Sequence, residues 1–173
     1  MINIVRAALT TAVTPVSPVE VEKDIAAVGA ELQVAINARF GRSFHIRAVD
    51  TGSCGACESE INALSNPVYD FQRFGVDIVA SPRHADALLV TGPLSRNMAA
   101  ALRDTYDAMP APKWVIACGA CAVDGGPYKD AYYVLGGPAA VVPVAAHIPG
   151  CPPKPLDILK ALLQLMRAHS VEK

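Results

Sequence analysis

An α/β fold with an open, mainly parallel sheet flanked by helices is what the patterning of this chain predicts. Three observations lead there. Short β-rich segments alternate with stretches whose apolar residues recur at helical spacing, which implies right-handed βαβ crossovers. A length of 173 residues suits one domain with a real core. The cysteines fall just after predicted strands, and in such sheets ligands sit outside the carboxyl ends of the strands.

The elements follow in order. Residues 1–42 read as an N-terminal arm and helix, and residues 43–173 as the α/β domain. Pro15 and Pro18 bracket the end of an irregular arm. Ser17 as cap, Pro18 at the first helical position and Glu20 as capping-box partner start a helix, which Gly41 stops after about Arg39. Phe44, Ile46 and Ala48 alternate with polar residues, predicting a strand over 43–49. The loop from Asp50 to Ala56 follows, with a helix beginning near Cys57. Residues 76–80 and 87–91 are short and β-rich. Met98, Leu102, Tyr106 and Met109 stand at helical spacing within 95–109. Strands are predicted over 113–117 and 141–145. Pro155 opens a last helix whose Leu159, Leu162, Leu163 and Met166 form a core stripe. Such a doubly covered sheet is of the flavodoxin-like type.

Composition excludes several classes. A net charge of −1 offers nothing to nucleic acid or an anionic membrane surface. Hydrophobic residues make up 52% and charged residues 18%, with a mean hydropathy of +0.30. No window reaches the ~18 uninterrupted apolar residues of a membrane span. The richest stretch, 134–146, is broken by Gly136, Gly137, Pro138 and Pro143. The apolar excess is therefore expected in a core or a protein–protein interface. Met1 to Thr14 makes a poor signal peptide, and an odd cysteine count points to a reducing compartment.

Chemistry resides in the cysteines. Four of the five lie in two copies of one tetrapeptide, Cys54-Gly-Ala-Cys57 and Cys118-Gly-Ala-Cys121, and the fifth opens Cys151-Pro-Pro. Thiolates two residues apart bind one centre from a single turn, while the small residues between let the backbone close around it. After strands 43–49, 113–117 and 141–145, all five converge on one sheet edge. A Cys₄ zinc module would use both CGAC pairs and leave Cys151 idle. Zinc ribbons place their pairs about 15–20 residues apart, whereas about sixty residues intervene here. An iron–sulfur cluster uses four thiolates scattered over several loops of a folded domain. His45, His84, His147 and His169 share no ligand spacing. No phosphate loop and no nucleophile constellation is present.

Longer motifs narrow the choice. Asp50-Thr-Gly-Ser-Cys54-Gly-Ala-Cys57-Glu58-Ser-Glu60-Ile61, Phe74-Gly75-Val-Asp77, Ala80-Ser-Pro-Arg83-His-Ala-Asp86 and Thr91-Gly92-Pro93 stand in this chain. So do Pro110-Ala-Pro-Lys113-Trp, Gly119-Ala-Cys121-Ala, Gly125-Gly126, Pro143-Val144 and Pro149-Gly-Cys151-Pro-Pro. Together they resemble the small subunit of [NiFe] hydrogenases and its relative in respiratory complex I. The resemblance spans roughly residues 43–166 and does not reach residues 1–42. It implies one [4Fe–4S] cluster on Cys54, Cys57, Cys121 and Cys151, with Cys118 a spectator. Complex I relatives carry adjacent cysteines where this chain has CxxC, which places it closer to energy-converting hydrogenases and formate hydrogenlyases. Five cysteines cannot ligate a second cubane. The resemblance further implies one-electron relay in an oxidoreductase complex. Its partners would be a hydrogenase-type or quinone-reacting large subunit, a ferredoxin-like iron–sulfur subunit and membrane-arm subunits. Its place would be the cytoplasmic face of the membrane, reached through those partners. Glu60 and Asp70 match acids linked to proton or quinone chemistry, and Arg83 would place positive charge near the cluster.

Overall fold

The computed structural model describes residues 18–169. Its elements run α1 (Pro18–Phe40), β1 (Phe44–Asp50), α2 (Ala56–Ala63), β2 (Val76–Ile78), β3 (Ala87–Thr91), α3 (Arg96–Asp107), β4 (Trp114–Cys118), α4 (Ala120–Asp124), β5 (Ala146–Ile148) and α5 (Pro155–Ala168). The five strands form one all-parallel sheet in the order β2-β1-β3-β4-β5. That is the flavodoxin-type order, whose switch point lies between β1 and β3.

Apolar residues on both faces explain the two covering layers. In β3, Ala87 and Leu89 face one core cluster while Leu88 and Val90 face another. Both β3 and β4 are buried along their whole length, as parallel strands covered on both sides must be. One layer holds α1, α2 and α5: Ile25, Leu32 and Ile36 meet Ile61, Leu64 and the stripe Leu159, Leu162, Leu163 and Met166. The other holds α3 through Leu102. The expected stripe of the last helix is therefore core. Ile36 has no exposed surface, and Ile36→Ala is expected to destabilise the fold by about 2–5 kcal/mol. A lower urea midpoint than that of the parent protein would measure it.

The amino ends of the strands are closed by aromatic and ionic contacts. Trp114 packs against Phe40 and Phe44, with Arg39 stacked 4.7 Å above its ring. Asp86 accepts a two-pronged salt bridge from Arg42 and the backbone N–H of His45.

Two expectations need adjusting. The strand predicted over 141–145 lies later, at Ala146–Ile148. Pro143 has no N–H for a ladder, and pairing begins only when Ala145 N donates to Val115 O at 2.8 Å. The 113–117 strand extends to Cys118, so that cysteine belongs to the sheet and not to the loop after it. The Ser17 cap and the arm before it lie outside the described residues.

Candidate metal centre

Three loops at the carboxyl edge carry the thiols, and each is held by its own hydrogen bonds. In the first, Asp50 Oδ1 accepts the N–H groups of Gly52 and Ser53 at 2.8 and 2.7 Å. Buried Thr51 donates its hydroxyl to Thr91 O at 2.8 Å, tying the loop to the end of β3. The two chains approach so closely that a methyl group on Gly92 would stand 2.4 Å from Ser53 N. Cys54 is exposed at the tip, and Cys57 is buried in the first turn of α2.

The second and third loops clip together. Gly119 N donates to Ile148 O at 2.8 Å, and Ala120 N donates to Gly150 O at 2.7 Å. This sets Cys121, partly buried at the start of α4, beside the exposed Cys151. Cys57 Sγ lies against Gly119, where an added methyl group would stand only 2.6 Å from the sulfur. The five cysteines are all free thiols. Among the described residues, no three His, Cys, Asp or Glu side chains are close enough to hold a single metal ion.

Electrostatics sorts the thiols into two groups. Burial pushes the Cys57 thiol up to about 11, and the negative neighbours Glu58, Cys121, Cys54 and Cys151 add to it. Cys121 is raised by burial and then by Cys151, Cys54 and Asp124. Cys118 is pushed up to about 12, again first by burial, but only Cys57 and Glu58 act on it. A raised pKa leaves less thiolate at a given pH, and thiolate is the reactive form. In the metal-free chain, iodoacetamide at pH 8 is therefore expected to label exposed Cys54 and Cys151 first. Cys57 should follow only as the pH climbs towards 11, and Cys118 should remain unlabelled. Peptide mapping by mass spectrometry reads the order, and early labelling of Cys118 would contradict it.

The four predicted ligand cysteines thus come together at this edge, with Cys118 beneath them in the core. Glu60 stands two residues beyond Glu58 in α2, and both are half-buried. Asp70 lies elsewhere: with φ 39 it precedes the short turn Phe71–Phe74, which leads into β2. Arg83 is exposed in the turn before β3. The next carbonyl, that of His84, meets His45 Nδ1 at 3.1 Å, near the amino end of β1. The structure therefore does not bring Asp70 or Arg83 to the thiols. Sequence reasoning reads Glu58, like Glu60, as a surface acid at a helix start, and the structure places Glu58 differently. Both of its carboxyl oxygens are buried without a hydrogen-bond partner. Its only sequence signal was its place beside Cys57, which reads equally well as a surface acid at a helix start.

The fold is thus a flavodoxin-type parallel sheet that presents cysteines from three loops at its carboxyl edge. The chain belongs to the family of the NADH ubiquinone oxidoreductase 20 kDa subunit, which matches residues 54–165. It is 45% identical over 124 residues to an uncharacterized protein of Methanocaldococcus jannaschii, covering 72% of this chain and 83% of that one. It is 44% identical to a subunit of the NADH-quinone oxidoreductase of Phocaeicola vulgatus, over 71% of this chain and 63% of the relative. With formate hydrogenlyase subunit 7 of Escherichia coli it shares 44% identity, over 82% of this chain and 54% of the relative. The matched part is therefore less than two thirds of either named oxidoreductase protein. Among solved structures, the membrane-bound sulfane sulfur reductase, an archaeal respiratory membrane complex, contains a chain of 32% identity. The TM-score is 0.65, over 78% of this chain and 72% of that one. An NAD⁺-reducing [NiFe]-hydrogenase has the same fold, with a TM-score of 0.57 at 17% identity over 73% of this chain and 93% of that one.

Proposed function

We propose that the chain is the electron-transfer subunit of an oxidoreductase complex, carrying one [4Fe–4S] cluster on Cys54, Cys57, Cys121 and Cys151. The observation that carries this reading is geometric: three loops at the carboxyl edge present Cys54, Cys57, Cys121 and Cys151, whereas Cys118 ends β4 inside the core cluster. A closed zinc site on both CGAC pairs would need Cys118, which is fully buried in the core cluster under the sheet edge. The residues present fit the group. The donors are four soft thiols from three loops, a donor set suited to iron–sulfur ligation. Gly119 puts no side chain of its own beside Cys57 Sγ. The orphaned Glu58 carboxyl faces no partner within the chain.

When bound, the cluster supplies a one-electron redox couple. The chain's own residues do the rest. The Asp50 turn and the Thr51 anchor hold Cys54 and Cys57, the Gly119–Ile148 and Ala120–Gly150 bonds fix Cys121 against Cys151, and the β4 core excludes water from below. Cys54 and Cys151 remain open to the outside, which leaves one side for a partner to cover. Val123, Tyr128, Tyr132, Tyr133 and Leu135 are all exposed in the segment just after Cys121, with Tyr132 at 85%. Aromatic surface of this kind is characteristic of interfaces. The partner is read as a large catalytic subunit of the hydrogenase type or its quinone-reacting relative. A ferredoxin-like subunit and membrane-arm subunits would complete the complex on the cytoplasmic face. No helix among the described residues is long and apolar enough to cross a membrane, so attachment would run through those partners. Glu60 is retained as a proton-handling candidate at this edge. For Asp70 and Arg83, placed away from the thiols, the same roles rest on the family resemblance alone.

Anaerobic purification is expected to yield about four iron and four acid-labile sulfide per chain and a reducible cubane EPR signal, together with a co-purifying large subunit. Stoichiometric zinc without sulfide would overturn the reading.

A further inference from the structure

A hollow of about 770 Å³ lies at the amino edge of the sheet, where the last turns of α1 and α5 meet the loop before β4. Its wall is apolar: Ala35 and Ala38 of α1, Met166 of α5, and the loop residues Pro110, Ala111 and Pro112. Its charged lining sets Arg39, Arg42 and Arg167 against a single carboxylate, that of Asp86. Asp86 is already engaged, accepting both prongs of Arg42 at 2.7 and 2.8 Å and the N–H of His45 at 2.9 Å. Arg167 is paired with Glu31. Arg39 forms no salt bridge among the described residues; it donates one N–H to His169 O and stacks on Trp114. A guanidinium has five N–H donors, so Arg39 keeps donors for a further acceptor. A basic residue in the last turn of a helix needs no ligand to explain it. Three of them around an apolar hollow point further, since small-molecule sites are apolar clefts of roughly 300–1,000 Å³ with a few convergent polar groups.

We propose that this hollow binds one long-chain carboxylate, with its head on Arg39 beside Arg167 and its chain along Ala35, Ala38 and Met166. The chemistry of the lining selects the class. Three guanidiniums against Asp86 and Glu31 leave one positive charge, which one carboxylate balances. The planar guanidinium fork also matches a carboxylate in shape. Sugars and nucleobases bring donors of their own, and among the described residues the hollow offers no side-chain acceptor besides the engaged Asp86. Polyphosphates are commonly held by backbone N–H groups at helix N-termini, whereas both helices here present their carboxyl ends. Pro110 and Pro112 have no backbone N–H to offer. The chain has room to run on. An adjoining hollow shares Ala35, Ala38 and Arg167 with the first and extends it along α1 to Val34 and Ala30. At the helical rise, Ala30 to Phe40 spans about 15 Å, which suits an extended acyl chain better than a compact anion. Val34 is 70% exposed, and such a chain would cover it. The site is independent of the thiol centre, which lies at the opposite edge of the sheet.

The test is photolabelling of the protein as it purifies, with any subunits that accompany it, by palmitic acid carrying a diazirine in its chain. Mass-spectrometric mapping is expected to place the adducts in residues 30–42 and 110–112. Unlabelled palmitate should compete. Methyl palmitate, with the same chain and no charge, should compete at least about tenfold less well. Arg39→Gln should cut labelling at these residues about tenfold. Ala38→Trp, which fills the hollow from an exposed position, should abolish it. Both variants are first shown to keep the cooperative urea transition of the parent. If Arg39→Gln does not, Arg167→Gln takes its place, with a side chain 62% exposed, and the same drop is expected. Adducts spread over the surface, equal competition by methyl palmitate, or unchanged labelling in either variant overturns the proposal. So does an unlabelled groove, the result if a partner segment or the chain itself fills it. Stronger competition by phosphatidylglycerol than by palmitate would assign the site to a phosphodiester lipid and overturn the carboxylate.

Discussion

Cys151→Ser is expected to lose the proposed cluster and electron transfer, while Cys118→Ser keeps both near wild type. The two thiols differ in environment more than in sequence. Cys151 is exposed on the Gly150 turn and acts on both Cys57 and Cys121. Serine there replaces a soft thiolate with a harder oxygen donor, which suits iron–sulfur ligation poorly. Cys118 is fully buried at the end of β4 among Ile116, Ile148 and the α5 stripe. Serine there buries a hydroxyl in an apolar site, at a cost of about 1–2 kcal/mol. Iron and sulfide analysis with EPR on both variants decides the matter. A swapped outcome would restore the zinc-type ligand set and remove the basis for the four-thiol reading.

Much of this site was legible because cysteine spacing and strand position are local signals. Cys54, Cys121 and Cys151 each follow a β-rich run, and a parallel sheet brings such positions to one edge whatever the details of the strands. The last helix was equally plain, since Pro155 opens it and the Leu159–Met166 stripe leaves one face to bury. The β5 misplacement has a physical cause. Val141, Val142 and Val144 look β-like, but Pro143 interrupts the donors, and only the neighbouring strand decides where pairing starts. Glu58 was illegible for a related reason. An acid in the first turn of a helix normally faces water, and only packing against the neighbouring loops buries its oxygens. The close approaches at Gly92 and Gly119 also depend on chains distant in sequence, so glycine there reads as turn chemistry until the loops are seen together.

Gly119→Ala is the substitution expected to damage the proposed centre most without replacing a ligand. Gly119 has φ +92, a backbone region that residues with a Cβ rarely adopt. That strain alone costs on the order of 1–3 kcal/mol. The added methyl group would also stand 2.6 Å from Cys57 Sγ and 3.6 Å from Gly150 O. The sulfur has little room to retreat, because Cys57 is itself buried. The backbone cannot shift outwards without stretching the Gly119–Ile148 and Ala120–Gly150 hydrogen bonds, which set Cys121 against Cys151. Either movement spoils the common position of the four thiols. Gly41→Ala supplies the comparison, since Gly41 also has a positive φ of +65 but nothing within 4 Å of the added methyl group. It should lose about 1 kcal/mol of stability and keep its full complement of iron. Gly119→Ala should fold, shown by a cooperative urea transition, yet retain only a small fraction of wild-type iron and sulfide. Wild-type content with an unchanged EPR line shape in Gly119→Ala would mean that Cys57 does not hold the group from this position, and the ligand set would have to be redrawn.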